Sequence, residues 1–163
     1  MDLRTQLHFD ADPAAVFAML TDEDYIARKV RAANAIGHDV TVTRTGDEVT
    51  IRLLRRMPPD VPDFLRRFVG ETIDLDQTDM WRAAASDGTR HGTIAIDMVG
   101  KPVTLRGTMR LERDGEATVT TVDATIKASV PLVGGKIEHA LRDGLLVAAR
   151  REEEVGRAWL ASG

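Results

Sequence analysis

Between residues 38 and 128 the apolar side chains recur at every second position, and from residue 132 to residue 160 they recur at threes, fours and sevens. The first spacing marks strands with one buried face, and the second marks a helix with one apolar stripe. Few folds accommodate a long series of strands that ends in a single long amphipathic helix. A sheet of that size must bury its apolar face, and the final helix is the only element long enough to cover it.

The chain opens on Leu3, Thr5, Leu7 and Phe9 alternating with polar neighbours, which predicts a first strand ending at Asp10. Asp12 before Pro13 predicts a helix N-cap with proline at the first helical position, where its missing N–H costs nothing. That helix runs to Leu20. Thr21 is the predicted cap of a second helix, with Asp24 at the capping-box position and an end near Ala33. Val40 and Val42 before Gly46-Asp47, and Val49, Ile51 and Leu53 after it, predict a hairpin over residues 38–56. Pro58, Pro59 and Pro62 interrupt the sheet, and Asp63 to Val69 reads as a short helix.

Strands follow at Ile73–Trp81, Ile94–Met98, Val103–Leu111 and Val122–Ala128, separated by turns at Asp87-Gly88, Gly100 to Pro102 and Asp114-Gly115. Short, even spacing favours consecutive antiparallel pairing over parallel crossovers. At 1.5 Å per residue the last helix, 132–160, is about 40 Å long. The expected fold is therefore α+β: a seven-stranded curved antiparallel sheet wrapped around a long C-terminal helix, with two short helices after the first strand. Its 163 residues suit one domain, 1–163.

The absence of cysteine excludes disulfides, thiolate metal sites and cysteine nucleophiles, and makes the cytoplasm the expected compartment. A net charge of -4 argues against a nucleic-acid partner. No signal-peptide core opens the chain, and no apolar run approaches the roughly 20 residues of a membrane span.

The order strand, two helices, six strands, long helix resembles the START-like (SRPBCC, helix-grip) superfamily, which includes the birch-pollen-allergen proteins and the polyketide cyclases. Four segments sharpen the likeness: Phe17-Ala18-Met19-Leu20-Thr21-Asp22, Phe68-Val69-Gly70, Gln77-Thr78-Asp79-Met80-Trp81, and Val130-Pro131-Leu132-Val133-Gly134-Gly135-Lys136-Ile137-Glu138. Together they look like a START-like family of high-GC (actinobacterial) bacteria known as a domain of unknown function. The resemblance implies a ligand cavity between sheet and helix. It implies no assigned reaction and no catalytic residues.

On that fold the predicted inward residues of the sheet are Ile51, Leu53, Leu75, Ile94, Ile96, Met98, Leu105, Met109 and Ile126, faced by Ile137, Leu141 and Leu145 from the helix. These line a cavity or fill a solid core. With only 4 phenylalanines, 2 tryptophans and 1 tyrosine, bulky fillers are scarce, which favours a cavity. Gln77 and Trp81 share the inward face of their strand, Trp81 as pocket wall or as core residue. Gly144, within the long helix, admits close packing or leaves room for ligand. Glu152 falls on the apolar stripe between Ala148 and Val155, where a carboxylate either escapes, pairs with an arginine, or serves as a polar anchor or general acid.

Other features carry less. His8, His38, His91 and His139 show no metal-binding spacing; His91 lies beside inward residues and could reach the cavity, but a solvent-facing or turn position is its better reading. Gly134-Gly135-Lys136 fails as a phosphate loop, because Val130 and Ile137 stand where that loop needs glycine and a hydroxyl residue; a sharp turn into the helix is its better reading. Arg52, Arg55, Arg56, Arg66 and Arg67 read as a solvated charged face, or as part of a basic lid helix over 58–69 that gates the cavity or touches an anionic membrane. No nucleophile elbow or dinucleotide fingerprint appears, so no cofactor is expected.

The expected function is binding or transport of a small hydrophobic molecule, lipid-like or polyketide-like, by a monomer or homodimer. A cyclase, dehydratase or hydrolase working in the same cavity is the alternative, and a protein-interaction module with a filled core is the third reading.

Overall fold

Strand register decides which side chains face inward, and the computed structural model, which describes all 163 residues, sets it without a slip along the whole sheet. The elements are β1 (Asp2–Phe9), α1 (Pro13–Leu20), α2 (Glu23–Ala32), β2 (Gly37–Thr45), β3 (Glu48–Met57), α3 (Asp63–Val69), β4 (Ile73–Trp81), β5 (Arg90–Met98), β6 (Val103–Asp114), β7 (Ala117–Ala128) and α4 (Gly134–Ala161). The strands form one antiparallel sheet in the order β1-β7-β6-β5-β4-β3-β2, so the six-strand meander closes back onto β1. Ile51, Asp79, Ile94, Gly107, Ala124 and Leu3 are successive cross-strand partners and make one inner row.

The helical starts follow from their caps, with one correction. Asp12 accepts from the Ala15 N–H at 2.8 Å, and Pro13 opens α1 as the sequence predicts. The cap of α2, however, is Asp22 and not Thr21. Asp22 Oδ1 accepts from the N–H groups of Asp24 and Tyr25 at 2.8 and 3.1 Å. Thr21 is buried and donates its hydroxyl back to the Phe17 carbonyl at 2.9 Å, because its own backbone belongs to the end of α1.

Curvature has a local cause. A Cβ on Gly107 would lie 2.2 Å from the Asp123 carbonyl oxygen, and one on Gly92 would lie 2.6 Å from that of Met80. Both glycines therefore let neighbouring strands close up on the inner side of the bend.

Helix α4 lies along β1 and β7 and against α1 and α2. Gly156 permits the closest approach, since a Cβ there would sit 2.4 Å from Phe9 Cε1. Around that point Phe9, Val16, Tyr25, Ile26 and Leu111 form the fully buried heart of the larger core cluster. At the opposite end Leu65 and Val69 of α3 pack with Ile73, Met98, Val103, Ala128 and Ile137, so α3 closes the mouth between sheet and α4. The turn into α4 is made by Leu132, fully exposed at φ 69°, and by Gly134, whose Cβ would meet the Ala128 carbonyl oxygen at 2.5 Å. The glycine here serves close packing, in agreement with the turn reading.

Candidate functional site

Between the two clusters, under the middle of α4, lies an apolar void of about 50 Å³. Seven residues expected at the cavity line it: Leu75, Ile96, Met98, Leu105, Ile126, Leu141 and Leu145. Val103 and Thr104 complete the lining and were not foreseen. Ile94, also expected there, is not among the lining residues; half-buried, it packs against the cluster of Ile96, Leu105 and Ile126 in the same inner row as Asp79.

The remaining expected positions sit elsewhere. Ile51, Leu53, Trp81 and Met109 belong to the larger core cluster, with Trp81 edge-on to Phe17 at 5.8 Å. Ile137 is fully buried against α3. Gly144 is exposed, with nothing within 4 Å of a Cβ built on it, so it neither lines the void nor admits close packing. The void itself is smaller than the expectation from scarce aromatics. Ligand pockets usually span roughly 300–1,000 Å³, and here aliphatic side chains from both walls occupy most of the space that large rings would have filled.

Beside the void the inner face turns polar. Val49, Ile51, Leu53 and Arg55 alternate inward on β3, and Leu75, Gln77, Asp79 and Trp81 do so on β4. Arg55 Nη1 donates to Gln77 Oε1 at 2.5 Å, and Gln77 Nε2 donates to both Asp79 oxygens at 3.0 and 3.1 Å. From above, Lys29 of α2 pairs with Glu152 of α4 at 3.1 Å, and the Tyr25 hydroxyl donates to the Glu152 carbonyl oxygen at 3.2 Å. Arg55 and Asp79 are deeply enclosed by protein yet keep accessible surface, the combination found on the wall of a hollow.

Enclosure changes the charges. Burial raises the Asp79 carboxyl above its usual range against the opposing pull of Lys29, the Gln77 hydrogen bond and Arg55, with Glu152 adding to the rise. The same burial lowers the Arg55 guanidinium, which nevertheless stays charged. Burial, then Glu152, also raises the Tyr25 phenol.

Two corrections follow. Arg55 is an inward residue, not part of the solvated face to which Arg52 and Arg56 belong through their exposed pairs with Asp76 and Asp74. Glu152 stays on the interior stripe and pairs with a lysine rather than an arginine. The period-two pattern that placed Ile51 and Leu53 inward also carries Arg55 inward, and the parity of Gln77 and Trp81 carries Asp79. Charge alone disguised them.

Elsewhere the polar groups are already engaged. A surface cleft of about 280 Å³ runs along Phe17, Thr21, Arg44, Asp47 and Arg90. The Arg90 guanidinium stacks 3.6 Å above Phe17 and donates to Asp47 and to the Arg82 carbonyl, which anchors the turns at that end. On α3, Arg66 and Arg67 are exposed while Leu65 points inward, and Phe64 is half-exposed under Lys136 at 5.9 Å. His91 is exposed on the outer face, and no three His, Asp or Glu side chains converge as metal ligands. No helix is long and apolar enough to cross a membrane.

Solved structures with the same architecture share little sequence with this chain. The Zhui aromatase/cyclase from Streptomyces sp. R1128 is 14% identical at a TM-score of 0.60, over 97% of this chain and 92% of that one. A STAR-related lipid transfer protein from Xanthomonas axonopodis is 16% identical at 0.56, over 93% and 84%. A START superfamily protein from Mycobacterium smegmatis is 10% identical at 0.57, over 94% of each chain. No protein of curated function matches the chain by sequence. The seven-stranded sheet gripping α4 is thus the START/Bet v 1-like fold, and since the family model described as Protein of unknown function (DUF2505) matches residues 4–160, the chain belongs to that family.

Proposed function

We propose that this protein binds a small, mainly apolar molecule in the hollow between the sheet and α4. The void lined almost wholly by aliphatic side chains, with a polar network at its edge, carries this reading. Apolar lining supplies affinity at about 25 cal/mol per Å² removed from water, and a few placed polar groups supply orientation. Likeness to a lipid transfer protein and an aromatase/cyclase agrees with it. At about 50 Å³ the void admits only the first part of such a guest. Binding therefore requires α3 or the middle of α4 to move outward.

Saturable fluorescence enhancement of N-phenyl-1-naphthylamine, a neutral apolar probe, tests the proposal. Leu141→Trp, which fills the void, should abolish the enhancement while the circular dichroism spectrum stays native. Unsaturable or absent enhancement in the wild type refutes it.

A second reading, acid–base catalysis in the same hollow, is favoured by Asp79, whose burial holds a proton at neutral pH more readily than an ordinary aspartate does. It predicts turnover of a bound polyketide-like substrate that Asp79→Asn removes without weakening binding.

A further inference from the structure

We propose that Arg55 anchors the head group of a monocarboxylate ligand, the carboxylate meeting the free edge of the guanidinium and the apolar body lying along Leu75, Ile96, Ile126 and Leu141. This rests on the reading of the hollow as an apolar ligand site, and names its ligand class. Arg55 faces inward by strand alternation, directly across from Leu75, which lines the void. Cross-strand neighbours stand about 5 Å apart, so a head group at Arg55 places its tail over the aliphatic wall.

The guanidinium is only partly used. Nη1 donates to Gln77 Oε1, while Nε and Nη2 have no partner in the protein. No buried side-chain nitrogen or oxygen is left without a hydrogen bond, so these two nitrogens keep accessible surface on an otherwise enclosed side chain. Together they form the planar fork that receives both oxygens of a carboxylate. Five other arginines of the sheet, Arg4, Arg52, Arg56, Arg90 and Arg106, have an aspartate of their own. Arg55 makes no ion pair, although it is more enclosed than Arg52 or Arg56.

Charge selects a monoanion. Four charged residues face this space: Arg55 from β3, Asp79 from β4, Lys29 from α2 and Glu152 from α4. Lys29 and Glu152 neutralise each other, and Asp79 takes its hydrogen bonds from Gln77 rather than from Arg55. The fork of Arg55 is left without a counterion of its own. A phosphate dianion would bring a second negative charge against Glu152 and Asp79, whereas a carboxylate brings one.

Displacement of N-phenyl-1-naphthylamine by decanoate and by 1-decanol, at one pH and salt concentration, tests this. Decanoate should compete about tenfold more strongly than decanol. Arg55→Gln should erase that preference and leave decanol competition unchanged. Arg55→Lys, which keeps the charge without the fork, should retain part of it, and provides a second reading if Arg55→Gln folds poorly. Equal competition by both molecules in the wild type overturns the carboxylate site and leaves the apolar pocket standing. A preference that survives in both variants overturns the role of Arg55. Failure of the probe itself to bind removes the pocket and this proposal with it.

Discussion

Gln77 is the residue on which the interior polar group depends, because its amide serves Arg55 with its oxygen and Asp79 with its nitrogen. Gln77→Leu removes both bonds at once and leaves an enclosed cation and carboxyl without their partner. A loss of about 1–3 kcal/mol is expected, read as a lower urea midpoint at unchanged slope. Asp79 has the opposite effect on stability. Its folded-state pKa lies above the usual 3.8, so the folded protein holds the proton more tightly than the unfolded chain does. The stability it contributes is complete at pH below that ordinary value and is lost as pH rises through the raised one. Asp79→Asn, which cannot ionise, should therefore melt higher than the wild type at pH 7 and above. The difference should vanish on acidification below about pH 4, and a gain independent of pH would contradict the assignment.

Two glycines of α4 separate what the helix needs from what it tolerates. At Gly156 an added methyl meets Phe9 Cε1 at 2.4 Å and Met19 Cε at 3.1 Å, so Gly156→Ala must push the helix off the sheet or force a core ring aside. Overpacking of this kind costs about 1–3 kcal/mol, more than the gain in helix propensity returns. Gly144→Ala meets nothing within 4 Å and should stabilise by about 0.5–1 kcal/mol, measured by urea unfolding, with probe binding untouched. The same element is held to α2 by Lys29 and Glu152 and to α3 through Ile137. Ile137→Ala opens a cavity where α3 docks, with an expected cost of about 2–5 kcal/mol and faster amide exchange confined first to α3.

The folded chain exposes 9133 Å². A compact monomer of this mass exposes roughly 8,000 Å², so the chain shows somewhat more surface than the average for its size. That surplus agrees with α4 resting on β1, β7 and the two short helices. A ligand that enters must first displace α3 or the middle of α4 and then hold them in place by its own contacts. At a free concentration a hundred times its Kd, a bound guest should stabilise the fold by about 2.7 kcal/mol. Amide exchange should slow in α3 and in the middle of α4, and an equal slowing across the outer β2 edge would argue for binding elsewhere. The outer face plays no part in this. Its arginines and aspartates pair across exposed strands, where each pair contributes little.

Periodicity legible along the chain was enough for the order of elements, because a strand face and a helix stripe are properties of spacing, and spacing survives without coordinates. It was enough for seven of the void's lining residues for the same reason. The cap of α2 was misplaced by one residue, since Thr21 and Asp22 are both good caps and only the end of α1 decides which backbone is free. Arg55 and Asp79 were hidden for a deeper reason. A charged side chain on an inward register position is ordinarily a sign that the register is wrong, and it becomes permissible only when a particular neighbour supplies its hydrogen bonds. That neighbour, Gln77, lies on the next strand to Arg55, and Lys29 and Glu152 reach the same space from helices 123 residues apart in the chain. The volume left under α4 depends likewise on how side chains from seven strands and a helix settle together, which no local pattern records.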